Sequence, residues 1–428
     1  MDSFKKRIGT TILLTLLLAG KGYGGTSIPV VQGTIDATGW DFNKTLALNG
    51  YWAFFDQQLL TPAECFPFQG RYTLFPGTFE ESKASHSGQG YATYAVRIVM
   101  PHKRPTLALQ VPQMYNSYKL WLNGTVIASN GVVGTTPETT TPQWKPQTVT
   151  ITTTADTLIL VLQLANFHHH IGGIREPINL GLADTLHNAA AITQNSSLAH
   201  GIFLITEALI FFGVFAFRRP AKKIIIYFAL LMLTWGIRAF FSLSYPITAL
   251  FPDFNWTLSV KIEYLTLFGL MVWGTLFINK LFNEVSNTLF QNIIVAVNIL
   301  LIVFTLLSPP VLFTRWLSLY LMFIGITVAY ITVVVVRAVL QDQVGVWFLV
   351  TSIALGTLLV AYELAAYQNL LPYSPTVASV GYTISFLMIT VALLLHLGII
   401  KSKAATRDIL TYDDLYETSP GTSIQRKR

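Results

Sequence analysis

Two regimes of hydrophobic patterning divide the chain. From about residue 25 to 185, apolar and polar positions alternate over short stretches broken by Gly, Pro, Asn and Thr. Period-two alternation predicts half-buried strands, here over 91–99, 106–111, 117–122, 125–129, 148–152, 158–164 and 174–182. Asn123-Gly124 between two of them is a tight-hairpin signal. From about 198 to 400 the pattern changes to long apolar runs. Seven of them approach the length of a membrane-crossing helix: 198–217, 224–243, 256–278, 291–307, 316–336, 346–366 and 376–400.

The expected fold is therefore an N-terminal all-β jelly-roll sandwich followed by an all-α bundle of seven transmembrane helices. A start with Lys5, Lys6 and Arg7, a short apolar core over 11–19 and small residues after it predict a signal peptide over 1–24. The jelly roll is expected over 25–185, a linker over 186–197, the membrane domain over 198–400 and a cytoplasmic tail over 401–428. An uncleaved anchor helix is the alternative for the first segment.

Composition sharpens this. Only 11% of the 428 residues are charged while 52% are hydrophobic; soluble domains carry about 25% charged residues. The net charge of +7 does not call for nucleic acid. Arg218, Arg219, Lys222, Lys223, Lys280, Arg337 and six Lys or Arg of the tail fall on one side of the predicted bundle. That side is expected to be cytoplasmic, which puts the jelly roll in the periplasm. The lone Cys65 excludes a disulfide framework.

The chemistry-bearing residues form no catalytic constellation. Acids are scattered, no nucleophile elbow or zinc-protease motif occurs, and no phosphate-cradling glycine loop is present. Neither catalytic residues nor a cofactor is expected. The run His168-His169-His170 does not predict a metal site, because neighbours in a strand point to opposite faces. Trp52 and Trp121 sit inside predicted strands and are expected in the core. Trp144, in a Pro-flanked loop, is open between core packing and ligand contact. Tyr115, Asn116, Trp144, Asn166 and His168 are the candidates for a ligand site, since aromatic faces stack on sugar rings while amides and imidazoles hold hydroxyls.

Within the spans, Glu207, Arg238, Glu263 and Glu363 are expected to form a polar pocket in the outer half of the bundle, Arg238 pairing with Glu263 or Glu207. Each charge costs roughly 2.5–3.5 kcal/mol at the bilayer centre on insertion scales. Either a structural ion pair or a ligand pocket would account for them. Helical spacing puts Ser379, Thr383 and Thr390 on one face, and Thr234, Arg238 and Ser242 on another.

An ordered set of motifs carries a resemblance: Gly50-Tyr-Trp-Ala-Phe-Phe, Gly90-Tyr-Ala-Thr-Tyr, Tyr118-Lys-Leu-Trp-Leu-Asn-Gly, Asn130-Gly131, Trp144 and Asn166-Phe167-His168-His169. It resembles the periplasmic jelly-roll sensor domain of bacterial seven-transmembrane receptors with diverse intracellular signalling modules. The hairpin is also similar to the sugar-binding jelly rolls of β-galactosidase-like enzymes. The resemblance implies an inner-membrane receptor, not itself an enzyme, that senses a carbohydrate or related small molecule. Its implied partners are the lipid bilayer, the periplasmic ligand and a separate cytoplasmic kinase or cyclase; a homodimer is compatible with it. The stretch after Ile400 is far shorter than the kinase or cyclase such receptors usually carry. The remaining alternatives are a transporter, a membrane-embedded enzyme, or the sensor half of a longer receptor.

Overall fold

A computed structural model describes residues 26–400 except 28–29, 69, 84–85, 115–116, 219–221, 243–244, 368–370 and 372–373. The expected signal peptide and tail, and candidates Tyr115 and Asn116, lie outside the described residues.

The N-terminal half contains strands β1 (Thr26–Ser27), β2 (Thr34–Asp36), β3 (Leu46–Ala47), β4 (Gly50–Asp56), β5 (Arg71–Phe75), β6 (Gly77–Thr78), β7 (Gly90–Val99), β8 (Leu107–Val111), β9 (Ser117–Leu122), β10 (Thr125–Asn130), β11 (Gln147–Thr150), β12 (Thr157–Asn166), β13 (Gly173–Ile174) and β14 (Asn179–Leu182). One sheet runs β10-β9-β12-β7-β4-β5, with β2 on β7; the other runs β1-β3-β14-β8-β11. Side chains from both inner faces make one core, among them Trp52, Tyr94, Leu109, Tyr118, Leu160, Leu162 and Leu180. This is the expected β-sandwich.

Central β12 shows why alternation can be read so far and no further. Leu158, Leu160, Leu162 and Leu164 enter the main core. Val161, on the opposite face, packs with Ala53, Ala95, Cys65 and Trp121. The segment around the one-turn helix Pro62–Cys65 contributes Cys65, Leu60 and Phe68 to this second layer. Trp52 and Trp121 are thus both buried, but on opposite faces of one sheet. The Asn123-Gly124 turn has both residues at positive φ, +48° and +85°, and pairs Leu122 with Thr125. The strand expected over 174–182 is split: β13 pairs with β6 and β14 with β3 and β8. Pro177, which lacks an amide donor, lies between them.

Seven long helices follow: α1 (Ala183–Phe217), α2 (Lys223–Phe240), α3 (Trp256–Leu281), α4 (Thr288–Leu307), α5 (Leu317–Leu340), α6 (Val346–Tyr367) and α7 (Pro375–His396). Each is long and apolar enough to cross a membrane. Buried positions make up 56% of the crossing window of α3 and 17% of that of α4, so α3 runs through the bundle interior and α4 lies on its outside. α1 and α2 cross closely. A Cβ on Gly201 would sit 2.6 Å from the Phe240 ring, and one on Gly236 2.7 Å from Ile205. Small residues permit that approach.

α1 is longer than the apolar run that announced it. It starts at Ala183, directly after β14, so the interval 186–197 expected as a linker is helix. Leu186 and Ala183 pack on Ala108 of β8, Leu186 fills the space above Gly181, and His187 Nε2 lies 3.0 Å from the Thr150 hydroxyl. Sheet and first helix are one continuous element.

Candidate functional site

Trp144, Asn166 and His168 gather where the jelly roll meets the bundle. Trp144 is 3% exposed. Its ring makes edge contacts with Tyr245 at 4.8 Å and with Trp256, the first residue of α3, at 5.6 Å. His168 approaches Trp256 at 6.4 Å. Trp144, Tyr245, Trp256, Val260, Tyr264, Phe268, Phe313 and Tyr320 form one buried cluster, of which only Trp144 comes from the jelly roll. The loop residue left open between core and ligand contact is the anchor of an interdomain core.

Hydrogen bonds flank this seat. Gln143 Nε2 donates to the carbonyls of Pro252 and Phe254, both at 3.4 Å, and the His170 amide donates to the Thr314 hydroxyl at 3.1 Å. Asn166 holds the loop from inside. Its amide donates to the carbonyls of Gly88 (2.7 Å) and His169 (2.8 Å), and its oxygen accepts from the His169 amide at 3.1 Å. With its side chain so engaged and 2% exposed, Asn166 shapes the junction. Burial holds the His168 imidazole below its ordinary pKa, against the opposing charge of Glu138. Burial lowers His169 further, to about 4, so the junction carries neutral imidazoles at neutral pH.

Of the four intramembrane candidates, Arg238 lies near enough to Glu263 and Glu363 for its charge to act on both, and Glu207 is separate. Arg238 Nη1 donates to the backbone carbonyl of Glu263 at 2.7 Å. The expected carboxylate pairing does not form: the ion pairs among the described residues are Lys83–Asp56, His102–Asp156 and Arg104–Asp156, all in the jelly roll. The Glu263 carboxylate is taken by the Tyr245 hydroxyl, 2.9 Å away. Tyr245 also touches Trp144, so the junction and the Arg238–Glu263 contact share a residue. Glu363 accepts from Tyr382 at 3.1 Å, and Tyr382 packs on Trp235 at 5.4 Å. Glu207 stands apart on the α1–α7 seam, where it is hydrogen-bonded to the Thr390 hydroxyl. A cavity of about 430 Å³ opens between α2, α3 and α4, lined by Thr234, Ile262, Thr266, Trp273, Ile299 and others; none of the four charged side chains lines it. Among the described residues no three His, Cys, Asp or Glu side chains gather as metal ligands.

Sequence reasoning missed Tyr245, Trp256 and Thr314 as junction partners. The available signal was the aromatic enrichment of membrane–water interfaces. It marks depth and does not identify a partner.

Comparison with known proteins places the membrane half. Residues 196–400 match the family described as 7TM diverse intracellular signalling. No match is found among curated proteins. Similar solved structures include a β-glucuronidase from Faecalibacterium prausnitzii, 16% identical, covering 32% of this chain and 31% of that one, with a TM-score of 0.25. A GH2 β-galacturonidase from Eisenbergiella tayi is 16% identical over 32% of this chain and 24% of its own, with a TM-score of 0.23. A Ruminococcus gnavus β-glucuronidase is 13% identical over 32% and 28%, with a TM-score of 0.25. The chain spans a third or less of these enzymes, and at such scores the likeness carries no argument about function.

Proposed function

We propose that this chain, whose residues 196–400 match the 7TM diverse intracellular signalling family, is a bacterial inner-membrane receptor whose jelly roll senses a periplasmic carbohydrate or related small molecule. The family gives the coarse statement: a multi-pass membrane protein with a signalling role. In our reading the jelly roll faces the periplasm, and the bundle end bearing Arg218, Lys222, Lys223, Lys280 and Arg337 faces the cytoplasm. There a separate kinase or cyclase reads the state of the helices.

One observation carries the mechanism. β14 passes into α1 without a loop, while the loop after β12 holds the bundle through the His170 amide and packs His169 on Trp144, itself seated among bundle aromatics. A ligand that shifts the β8–β14 sheet against β12 therefore moves α1 against this loop, and either tilts α1 or disturbs the seat of Trp144. Tyr245 then relays the second change to Glu263, whose backbone holds Arg238. Such a switch needs a ligand with different affinities for the two arrangements.

The test is a screen of glycans and small metabolites against the full chain in lipid nanodiscs, read by saturable binding and by amide hydrogen exchange in the Trp256 segment. A saturating ligand that changes exchange there supports the reading. Saturable binding with no change at the junction or in α1 contradicts the mechanism, and absence of any saturable ligand contradicts the sensor role.

A further inference from the structure

α1 and α7 run side by side in parallel with a constant register. The His200 Nδ1 atom lies 2.8 Å from the Thr383 hydroxyl, and the Glu207 carboxyl is hydrogen-bonded to the Thr390 hydroxyl, which also reaches the Phe386 carbonyl at 3.0 Å. Both pairs are 183 residues apart, so two polar rungs about 10 Å apart line one seam. His200 and Glu207 are 6% and 7% exposed. His200 Nε2 and Glu207 Oε2 are both buried without a hydrogen-bond partner.

The surroundings sharpen the charge problem. Beside Glu207, the bundle core packs Leu204, Ala208 and Phe211 of α1 with Phe228, Leu231 and Met232 of α2 and Phe386 of α7. The Gly201–Gly236 crossing puts Arg238 level with His200, about two turns nearer the jelly roll than Glu207, and its Nη1 atom is committed to Glu263. On α7 the Tyr382 hydroxyl is committed to Glu363 of α6, and His396 lies six residues beyond Thr390, about 9 Å along the axis. On α1 itself, Asp184 and His187 belong to the jelly-roll end. Among the described residues no cationic side chain comes within ion-pair distance of Glu207. A buried carboxylate with one free oxygen and no cation must be neutralised from outside.

We propose that Glu207 and Thr390 form a binding site for a small monovalent cation, a proton or Na⁺, with His200 and Thr383 as the station between it and the jelly-roll end of the bundle. The site does not depend on what the jelly roll binds. Because it joins the helix rooted in the sheet to the last helix of the bundle, its occupancy sets how tightly α1 holds α7.

The experiment uses the full chain in nanodiscs, wild type and Glu207→Gln. Melting is followed while Na⁺ replaces choline at fixed pH, and while pH is lowered in choline. By mass action, a cation bound only to the folded state raises the melting temperature with its concentration. The wild type should rise relative to Glu207→Gln in the Na⁺ series if Na⁺ is the ligand, and in the pH series alone if it is the proton. A constant offset between the two proteins across both series overturns the proposal. Should Glu207→Gln fail to fold, ²²Na⁺ dialysis and proton uptake on wild type and Thr390→Val decide. Loss of the hydroxyl should weaken cation binding about tenfold, and a wild type that binds neither cation overturns the site.

Discussion

Trp144→Ala tests the junction at its centre. The indole is 3% exposed and contacts His169 on its own side and Tyr245 and Trp256 on the other. Truncating a buried Trp to Ala typically costs about 3–5 kcal/mol, of which each lost aromatic pair supplies about 0.5–1.5 kcal/mol. The two main ring contacts reach the bundle, so most of this loss should fall on docking and little on the jelly-roll core. At 1.4 kcal/mol per factor of ten, a docking loss of about 3 kcal/mol weakens the seated state roughly 10²-fold. Spin labels at Ser129→Cys on β10 and Leu312→Cys between α4 and α5 would report the geometry. The wild type should give one narrow distance distribution, and Trp144→Ala a broad one, with Trp144→Phe between them. A narrow and unshifted distribution in Trp144→Ala, with an unchanged melting temperature, would refute the reasoning.

Three further outcomes follow, one from the junction and two from other parts of the fold. His169, ordinarily near 6.5, is held at about 4 by burial. Because its folded-state pKa is depressed, the unfolded chain binds more protons between those values, and stability falls as pH drops from about 6.5 to 4. The full loss is about 3 kcal/mol, checked by melting wild type against His169→Gln, which should be flatter in that window. Gly201→Leu forces α1 from α2, since a Cβ alone would meet the Phe240 ring at 2.6 Å; overpacking of this kind costs about 1–3 kcal/mol, read as a lower melting temperature in nanodiscs. The Cys65 thiol is pushed up to about 12, by burial first and the Glu64 charge second, so maleimide should leave it unmodified at pH 8 in the folded chain and label it in denaturant.

Elements with a strong period were legible in the sequence. The seven runs became seven helices because a span must be apolar along its whole length, and β12 was visible because Leu recurs at every second position. Boundaries were legible only where chemistry marks them. The first span gave no sign that its helix begins at Ala183, because its first turns are placed by the contacts of Ala183, Leu186 and His187 with the sheet and not by a run of hydrophobic residues. Trp144 could not be assigned beforehand, since a Trp in a Pro-flanked loop suits a sugar face and an aromatic seat equally well. The face shared by Ser379, Thr383 and Thr390 was readable, but its partners His200 and Glu207 depend on the parallel register of two helices far apart in sequence. Arg238 was expected to choose a carboxylate; Tyr245, from the connection between α2 and α3, occupies that carboxylate and leaves the carbonyl.

The account rests on a jelly roll and a basic helix end that lie on opposite sides of one membrane. Single cysteines at Ser129 on β10 and at Lys222 between α1 and α2, with Cys65 buried and silent, can be exposed to a membrane-impermeant maleimide on spheroplasts. The account predicts that Ser129→Cys labels at once and Lys222→Cys only after permeabilisation. Labelling of Lys222→Cys on intact spheroplasts, or protection of Ser129→Cys until the membrane is opened, would contradict it.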